Sequence, residues 1–183
     1  TRTGYFSSLE VATILDLLRI IDKPRQDIPL AAVLRSVLGG FSDEEMACIG
    51  ILPRTLNYWD CLMLILKYGQ ECEEDMSVYW DMLPLDEEGI KNLHEKTEKF
   101  CSMIEKYHKQ SLTLSVYELL QRIYKETGYY DIMSAMPAGE KRAANLDILL
   151  QQSLEFAENG HQGIFAFTHY IESLRKSNID FGE

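Results

Sequence analysis

The chain has 183 residues, of which 46% are hydrophobic and 26% are charged, a balance typical of a globular rather than a disordered protein. Its net charge of −11 argues against a general nucleic-acid coat protein, because phosphate contacts require lysine and arginine. No apolar run approaches the roughly 18 residues of a membrane span. Because the chain begins with Thr1 rather than Met, we expect a piece of a longer protein. We expect that protein to be cytoplasmic, with reduced cysteines.

Most of the acidity is local. The segment 71–88 carries eight acidic residues and no lysine or arginine, and the rest of the chain has 21 acidic residues against 18 basic ones. The segment is most simply a solvated loop and helix start. A DNA-facing surface elsewhere in the chain is therefore compatible with the composition.

The first predicted helix has clear signals at both ends. Ser7 and Glu10 have the spacing of a capping box, and the apolar positions that follow run to Ile21 before Pro24 ends the helix. The polar joint 22–27 then separates this helix from the next. Such a joint favours a boundary that few contacts cross.

Similar start and stop signals predict further helices at about residues 29–38, 42–49, 57–68, 86–109, 115–128, 130–136, 139–158 and 163–176. A weaker helical pattern covers 75–83. Two more capping boxes mark helix starts, one formed by Ser42 with Glu45 and the other by Ser115 with Glu118.

Strand signals are nearly missing from the sequence. No stretch alternates apolar and polar residues between turn signals, and only Gly4-Tyr5-Phe6 is compatible with the end of a strand. The connecting loops are short, which favours antiparallel neighbours. We therefore predict an all-α fold, an irregular bundle of many antiparallel helices.

Sequence motifs for catalysis are also missing. The phosphate loop G-x-x-x-x-G-K-[ST] does not occur, nor do G-x-G-x-x-G, H-E-x-x-H and G-x-S-x-G. None of the four cysteines (Cys48, Cys61, Cys72 and Cys101) forms a C-x-x-C pair, so we expect reduced core cysteines. We assign no catalytic residue, no metal ligand and no cofactor to this chain.

One alternative is a helical di-metal carboxylate protein. Such sites use Glu-x-x-His pairs on facing helices, and the chain contains two pairs, Glu105 with His108 and Glu158 with His161. The second pair spans Asn159-Gly160, which should break a helix and spoil the geometry. The alternative requires all four side chains to converge.

A turn at Gly39-Gly40-Phe41-Ser42 is a candidate phosphate contact. A helix ends there and a capped helix begins, and the N–H groups at a helix start can bind an anion such as a DNA phosphate. An ordinary connection between two helices explains the same pattern. The acidic run 43–45 also places negative charge beside the turn.

Three segments resemble one protein family. The segment 4–46 resembles the stretch after the fourth helicase motif in UvrD-like superfamily-one DNA helicases. The segments 119–157 and 163–183 resemble the A subunit of the bacterial ATP-dependent helicase–nuclease, of the AddA or RexA type. The motif R-x-A-N-L at Arg142–Leu146, combined with the ending 163–183, is the more specific part of this resemblance.

This resemblance implies an ATP-driven motor with a nuclease, which works with a B subunit on double-strand breaks for DNA repair and recombination. ATP and magnesium would be bound in the parent chain and not in this fragment. Residues 1–27 would belong to the second motor domain, as a strand end and a helix. Residues 28–183 would be the inserted helical accessory subdomain, of the type called 2B, which is not itself an enzyme. Its partners would be duplex DNA, the B subunit and its own motor domains, and no membrane.

In related helicases a glycine turn at the position of Gly39, Gly40 and Phe41 touches duplex DNA, although this sequence does not keep the usual Gly-x-Gly. With Ser42, these residues are our DNA-contact candidates. Further basic side chains are available for phosphates if they converge, namely Arg35, Lys141, Arg142, Arg175 and Lys176. A protein-interaction module that docks on the partner subunit is the alternative function.

We expect the main role of Arg142 and Asn145 to be the stabilisation of the fold. They stand three residues apart and share a helix face, so we predict that one or both hydrogen-bond to a neighbouring loop or helix end.

The helix at 7–23 is apolar over much more than the arc of about 100° that a surface helix needs. We therefore expect that it has lost a partner. The prediction is an apolar patch that includes some of Tyr5, Phe6, Val11, Leu15 and Leu18 and is either exposed or covered by self-association or by a rearranged terminus.

Overall fold

A computed structural model describes residues 8–52, 55–67 and 81–180 of the chain. Over these ranges the chain forms helices and turns, with no strand. The all-α prediction is confirmed. The possible strand end at Gly4-Tyr5-Phe6 lies outside the described residues, and so does Cys72.

The helices of the described part follow each other along the chain as α1 (Leu9–Asp22), α2 (Asp27–Arg35), α3 (Asp43–Ile51), α4 (Tyr58–Leu66), α5 (Glu87–Ser111), α6 (Val116–Thr127), α7 (Tyr129–Ala135), α8 (Gly139–Glu158) and α9 (Ile164–Asp180). Most bounds agree with the sequence signals within three residues. The weaker pattern at 75–83 falls mostly outside the described residues.

The capping boxes at the starts of α3 and α6 form as predicted. Ser42 N donates to Glu45 Oε2 at 2.7 Å, and Glu45 N donates to Ser42 Oγ at 3.2 Å. Ser115 and Glu118 make the same reciprocal pair at 2.8 and 3.2 Å. Each box satisfies two backbone N–H groups that a helix start otherwise leaves without partners.

The structure does not test the capping box predicted for the start of α1, because that box includes Ser7. The helix begins at Leu9, and Ser7 lies outside the described residues. The carboxylate of Glu10, which was expected to complete that capping box, accepts hydrogen bonds from the side chains of Arg142 and Asn145. These partners are remote in sequence, so the local spacing could not indicate them.

The chain divides into two compact units. The first comprises Thr1–Asp22 with Tyr107–Glu183, and the second comprises Lys23–Lys106. The assignment of residues 1–27 to a motor domain and of 28–183 to an inserted subdomain concerns a longer protein, and it stays a prediction.

In the first unit α8 is the central helix. It packs against α1, α6 and α7, and α9 also packs against α1. Side chains from these helices form the core, including Leu119, Leu149 and Phe167. At the end of α1, His108 Nδ1 lies 2.8 Å from the carbonyl oxygen of Ile21, which fixes that helix end to the last turn of α5.

The predicted apolar patch on α1 is wrong for the residues that the structure describes. Val11, Leu15 and Leu18 are buried within this single chain, because α8 and α9 cover the helix. Tyr5 and Phe6 lie outside the described residues. The wide apolar surface of α1 therefore reflects packing against two helices of the same unit rather than a lost partner.

In the second unit α4 packs against α2 and α3. Residues of α5 also contribute, since Phe100 packs edge-on against Phe41, with 6.0 Å between ring centroids. Cys48 and Cys61 are buried in this unit, as is Cys101 in α5. Burial raises the pKa of the Cys101 thiol to about 12, which keeps it protonated and unreactive near neutral pH.

Candidate nucleic-acid contact site

The glycine turn between α2 and α3 is tightly folded. Gly40 has a φ of +67°, a left-handed conformation that glycine adopts at little cost. At Gly39 an added Cβ would lie 2.4 Å from the carbonyl oxygen of Leu34. The two glycines are therefore explained by close approach and by backbone conformation.

The backbone N–H groups of this turn all have partners inside the protein. Those of Gly39 and Gly40 donate to Ser36 O at 3.2 and 2.7 Å, and that of Phe41 donates to Leu34 O at 2.9 Å. The N–H of Ser42 donates to the Glu45 carboxylate at 2.7 Å. The side chain of Glu45 thus takes the N–H of Ser42, which is then no longer available to an anion.

Lys96 of α5 holds this arrangement from outside the turn. Its ammonium donates to both carboxylate oxygens of Glu45 at 2.8 and 2.7 Å and to Gly40 O at 3.0 Å. It also lies 5.6 Å from the centroid of the Phe41 ring, within range of a cation–π interaction. Burial raises the pKa of Glu45, but hydrogen bonds from Lys96 and Ser42 and the Lys96 charge outweigh it, so the net pKa is lowered.

We expect Gly39→Ala to destabilise the protein and Gly50→Ala to stabilise it slightly. The added methyl at Gly39 collides with the backbone of α2, an overpacking that costs roughly 1–3 kcal/mol. At Gly50, in α3, nothing lies within 4 Å of an added Cβ, and alanine favours the helix by about 0.5–1 kcal/mol. Urea unfolding of the two variants measures both effects, and equal stabilities would contradict this view of the turn.

The charges around the turn are mixed rather than basic. Arg35 is exposed and pairs with Asp43, which is also exposed. Glu44 adds a further exposed carboxylate, and the Lys96 charge is paired with Glu45. The turn therefore lacks the cluster of basic side chains that would favour strong phosphate binding.

The remaining basic candidates lie in the other unit. Lys141 is exposed in the first turn of α8, and Arg175 and Lys176 are exposed in α9. Arg142 is partly buried, and its guanidinium donates to Pro137 O at 3.1 Å and to Glu10 Oε2 at 2.8 Å. Two of the five N–H donors of the Arg142 guanidinium therefore serve the fold.

Glu10, Arg142 and Asn145 form a buried polar cluster. Asn145 Nδ2 donates to Glu10 Oε1 at 2.6 Å, and Glu10 is only 3% exposed. Tyr129 donates its hydroxyl to the Glu10 carbonyl oxygen at 3.0 Å. Burial raises the pKa of Glu10, yet the hydrogen bonds from Asn145, Ser8 and the backbone and the Arg142 charge together lower it. The carboxylate is thus held ionised inside the unit.

The four side chains of the di-metal alternative do not come together. Within the described ranges, no three His, Cys, Asp or Glu side chains are arranged to hold a metal ion. His108 lies on the Ile21 carbonyl, and the His161 ring packs on Phe156 with 5.2 Å between centroids. Glu105 and Glu158 are exposed on the surfaces of their helices.

Lys96 was missed by the sequence reasoning. It lies about 50 residues beyond the turn, in a helix whose other lysines face solvent, and no local pattern distinguishes it. Glu10 was noticed only as a capping residue. In both cases the partner in the fold, rather than the neighbouring sequence, gives the residue its role.

Among the residues that the structure describes, no helix is both long and apolar enough to cross a membrane. No family model matches the chain.

The chain is similar along its whole length to much longer proteins. The A subunit of an ATP-dependent helicase/nuclease from Clostridium botulinum (strain Loch Maree / Type A3) is 37% identical over 190 residues, which cover 100% of this chain and 15% of that protein. A protein of the same name from Lachnoclostridium phytofermentans is 36% identical over 208 residues, again 100% of the chain and 15% of the relative. The chain thus spans 15% of the length of these relatives.

Proposed function

Because this chain belongs to the family of ATP-dependent helicase/nuclease A subunits and corresponds to one segment of its members, we propose that it is a non-catalytic helical accessory subdomain of such a protein. Its role is to brace or gate duplex DNA beside the motor during the processing of double-strand breaks. ATP and magnesium are bound by other parts of the parent chain.

The observation that carries this proposal is the whole-chain similarity to a 15% segment of the relatives. The segment has no phosphate loop in its sequence, so it supplies no ATP site of that type. A helical segment without such a loop is suited to positioning the substrate of a motor rather than to driving it.

The geometry of the glycine turn supports a DNA contact made by side chains. Since the N–H groups of residues 39–42 are already bonded, the phosphates are met by side chains, first by Arg35. The neighbouring Asp43 and Glu44 repel phosphate and keep the contact weak. In the other unit Lys141, Arg175 and Lys176 are exposed candidates, with Arg142 less available.

The experiment is a titration of the chain with duplex DNA at several salt concentrations. A phosphate contact releases counterions, so log K should fall linearly with log salt, with a slope of about −0.9 for each phosphate neutralised. We expect Arg35→Gln to make the slope shallower by roughly 0.9. The matched control is Arg25→Gln, because Arg25 is an exposed arginine of the same unit that also pairs with an aspartate, Asp60.

Binding that does not change with salt would overturn the proposed duplex contact. Equal slopes for the Arg35 and Arg25 variants would show that the contact does not involve the glycine turn.

A second function is docking on the partner B subunit or on the motor domains of the parent. The observation in its favour is the exposure of large apolar side chains: Ile28 is 86% exposed, Leu112 73% and Phe165 66%. A contiguous patch of such side chains marks a surface that another protein covers, whereas single exposed apolar residues are common on any protein. A failure of salt-dependent duplex binding in the titration above would favour this second function.

A further inference from the structure

A surface groove of about 670 Å³ lies wholly within the first unit. Its walls come from the loop before α6, from α6 itself, from the start of α7 and from α8, and they include Leu114, Tyr124, Tyr130 and Leu150. Its volume is within the range of about 300–1,000 Å³ typical of ligand sites. None of the residues proposed above for duplex contact lines it.

The apolar part of the groove has two tyrosine rings. Tyr124 and Tyr130 lie 6.1 Å apart between ring centroids, at an interplanar angle of 37°. Their hydroxyls are engaged within the fold, since that of Tyr124 donates to Leu146 O at 3.4 Å and that of Tyr130 donates to Asp147 Oδ2 at 3.1 Å. The rings therefore offer the groove apolar surface rather than hydroxyl groups.

Arg122 and Lys125 add positive charge to the same groove. They stand three residues apart in α6 and so share one helix face. Both are exposed, and neither makes an ion pair with any residue that the structure describes. Several other basic side chains are paired with carboxylates, namely Arg19, Arg25, Arg35, Lys96 and Arg142.

The two carboxylates at the rim serve helix starts. Glu118 accepts hydrogen bonds from the N–H and the hydroxyl of Ser115, both at 2.8 Å, which lowers its pKa, and Arg122 lies near its charge. Asp131 lies in the first turn of α7, where the helix dipole favours negative charge. Arg122 and Lys125 are thus left available for an anion in a groove with aromatic walls.

From this arrangement we propose that the groove binds a nucleotide unit of single-stranded DNA. A phosphate would lie on Arg122 and Lys125, and the unstacked base would lie against Tyr130 and the apolar wall. Duplex DNA keeps its bases stacked inside and has no base to place on such a wall, whereas single strands bind by stacking on aromatic rings next to cations. The choice of nucleic acid as ligand rests on the proposed function, and the groove extends it to the unpaired strand.

The test is binding of a fluorescent oligothymidylate to the whole chain over a range of salt concentrations. The double variant Arg122→Gln/Lys125→Gln should lose the phosphate contact, which makes the slope of log K against log salt shallower by roughly 0.7. Its control is Lys99→Gln/Lys109→Gln, which removes the same charge from exposed positions of α5 outside the groove. The control should keep the wild-type slope.

Tyr130 supplies an independent measurement. Tyr130→Leu should weaken binding roughly ten-fold at constant salt without changing the salt slope, because it removes a stacking ring and no charge. Tyr130→Phe keeps the ring and should bind as the wild type does. Circular dichroism melts of each variant show that the fold is retained.

Several outcomes would overturn the inference: no oligothymidylate binding, equal losses in the groove and control double variants, or equally effective competition by polyglutamate, which would indicate a general anion site. A parallel titration with duplex DNA tests the proposed function separately from the groove. If the groove variants lose binding to single-stranded DNA but keep binding to duplex DNA, the result supports both the groove inference and the proposed function.

Discussion

Replacing Leu18 by alanine should lower the free energy of unfolding by about 2–5 kcal/mol. Leu18 is fully buried in α1, where α8 and α9 pack against the helix. The loss combines the transfer free energy of the removed methyl groups with the cost of the cavity left behind. Urea denaturation followed by circular dichroism measures the change directly.

Leu9→Ala is the matched control for Leu18→Ala. It removes the same atoms from the same helix, but Leu9 is 66% exposed, so its effect should stay within about 0.5 kcal/mol. Equal effects at the two positions would mean that α1 is not packed within this chain, and the expectation of a missing partner for α1 would then return.

Asn145→Ala should destabilise the protein by about 1–3 kcal/mol near neutral pH, because it removes a buried hydrogen bond to the charged Glu10. Glu10 has a pKa below its usual value in the folded protein. Its contribution to stability is therefore fully present above the unfolded pKa and is lost as the pH falls through the folded pKa. The difference between wild type and variant should be largest at neutral pH and should shrink in acid.

Thermal melts at neutral and strongly acidic pH measure this dependence. Asn92→Ala, an exposed asparagine in the interior of α5, serves as the control and should change little at either pH. A penalty for Asn145→Ala that does not vary with pH would show that Asn145 acts through packing alone and not through the Glu10 carboxylate.

The sequence predicted the class of fold and most helix starts correctly because these depend on local chemistry. A capping box joins residues three apart, so Ser42 with Glu45 and Ser115 with Glu118 can be recognised without any tertiary information. The length of α1 followed from its apolar pattern in the same way. The helices that cover the apolar surface of α1 could not be predicted, because α8 and α9 lie more than a hundred residues further along the chain.

In the candidate site, too, contacts between residues that are remote in sequence could not be predicted. The glycine turn was found from two adjacent glycines and a capping serine, but whether its N–H groups were available depended on the carbonyls and carboxylate that meet them. Arg142 and Asn145 could be placed on one face from their spacing. Their shared partner, Glu10, is 132 and 135 residues away and could not be inferred.

By itself, then, the sequence determined that this chain is helical, where most of its helices begin and end, and that it carries no phosphate loop. Each of these properties depends on residues within a few positions of one another. Only the tertiary structure decided that α1 is covered within the chain, that Lys96 and Glu45 close the glycine turn, and that Arg122 and Lys125 face a tyrosine-walled groove. These depend on how separate helices pack, and helix packing brings together side chains whose separation along the chain carries no local signal.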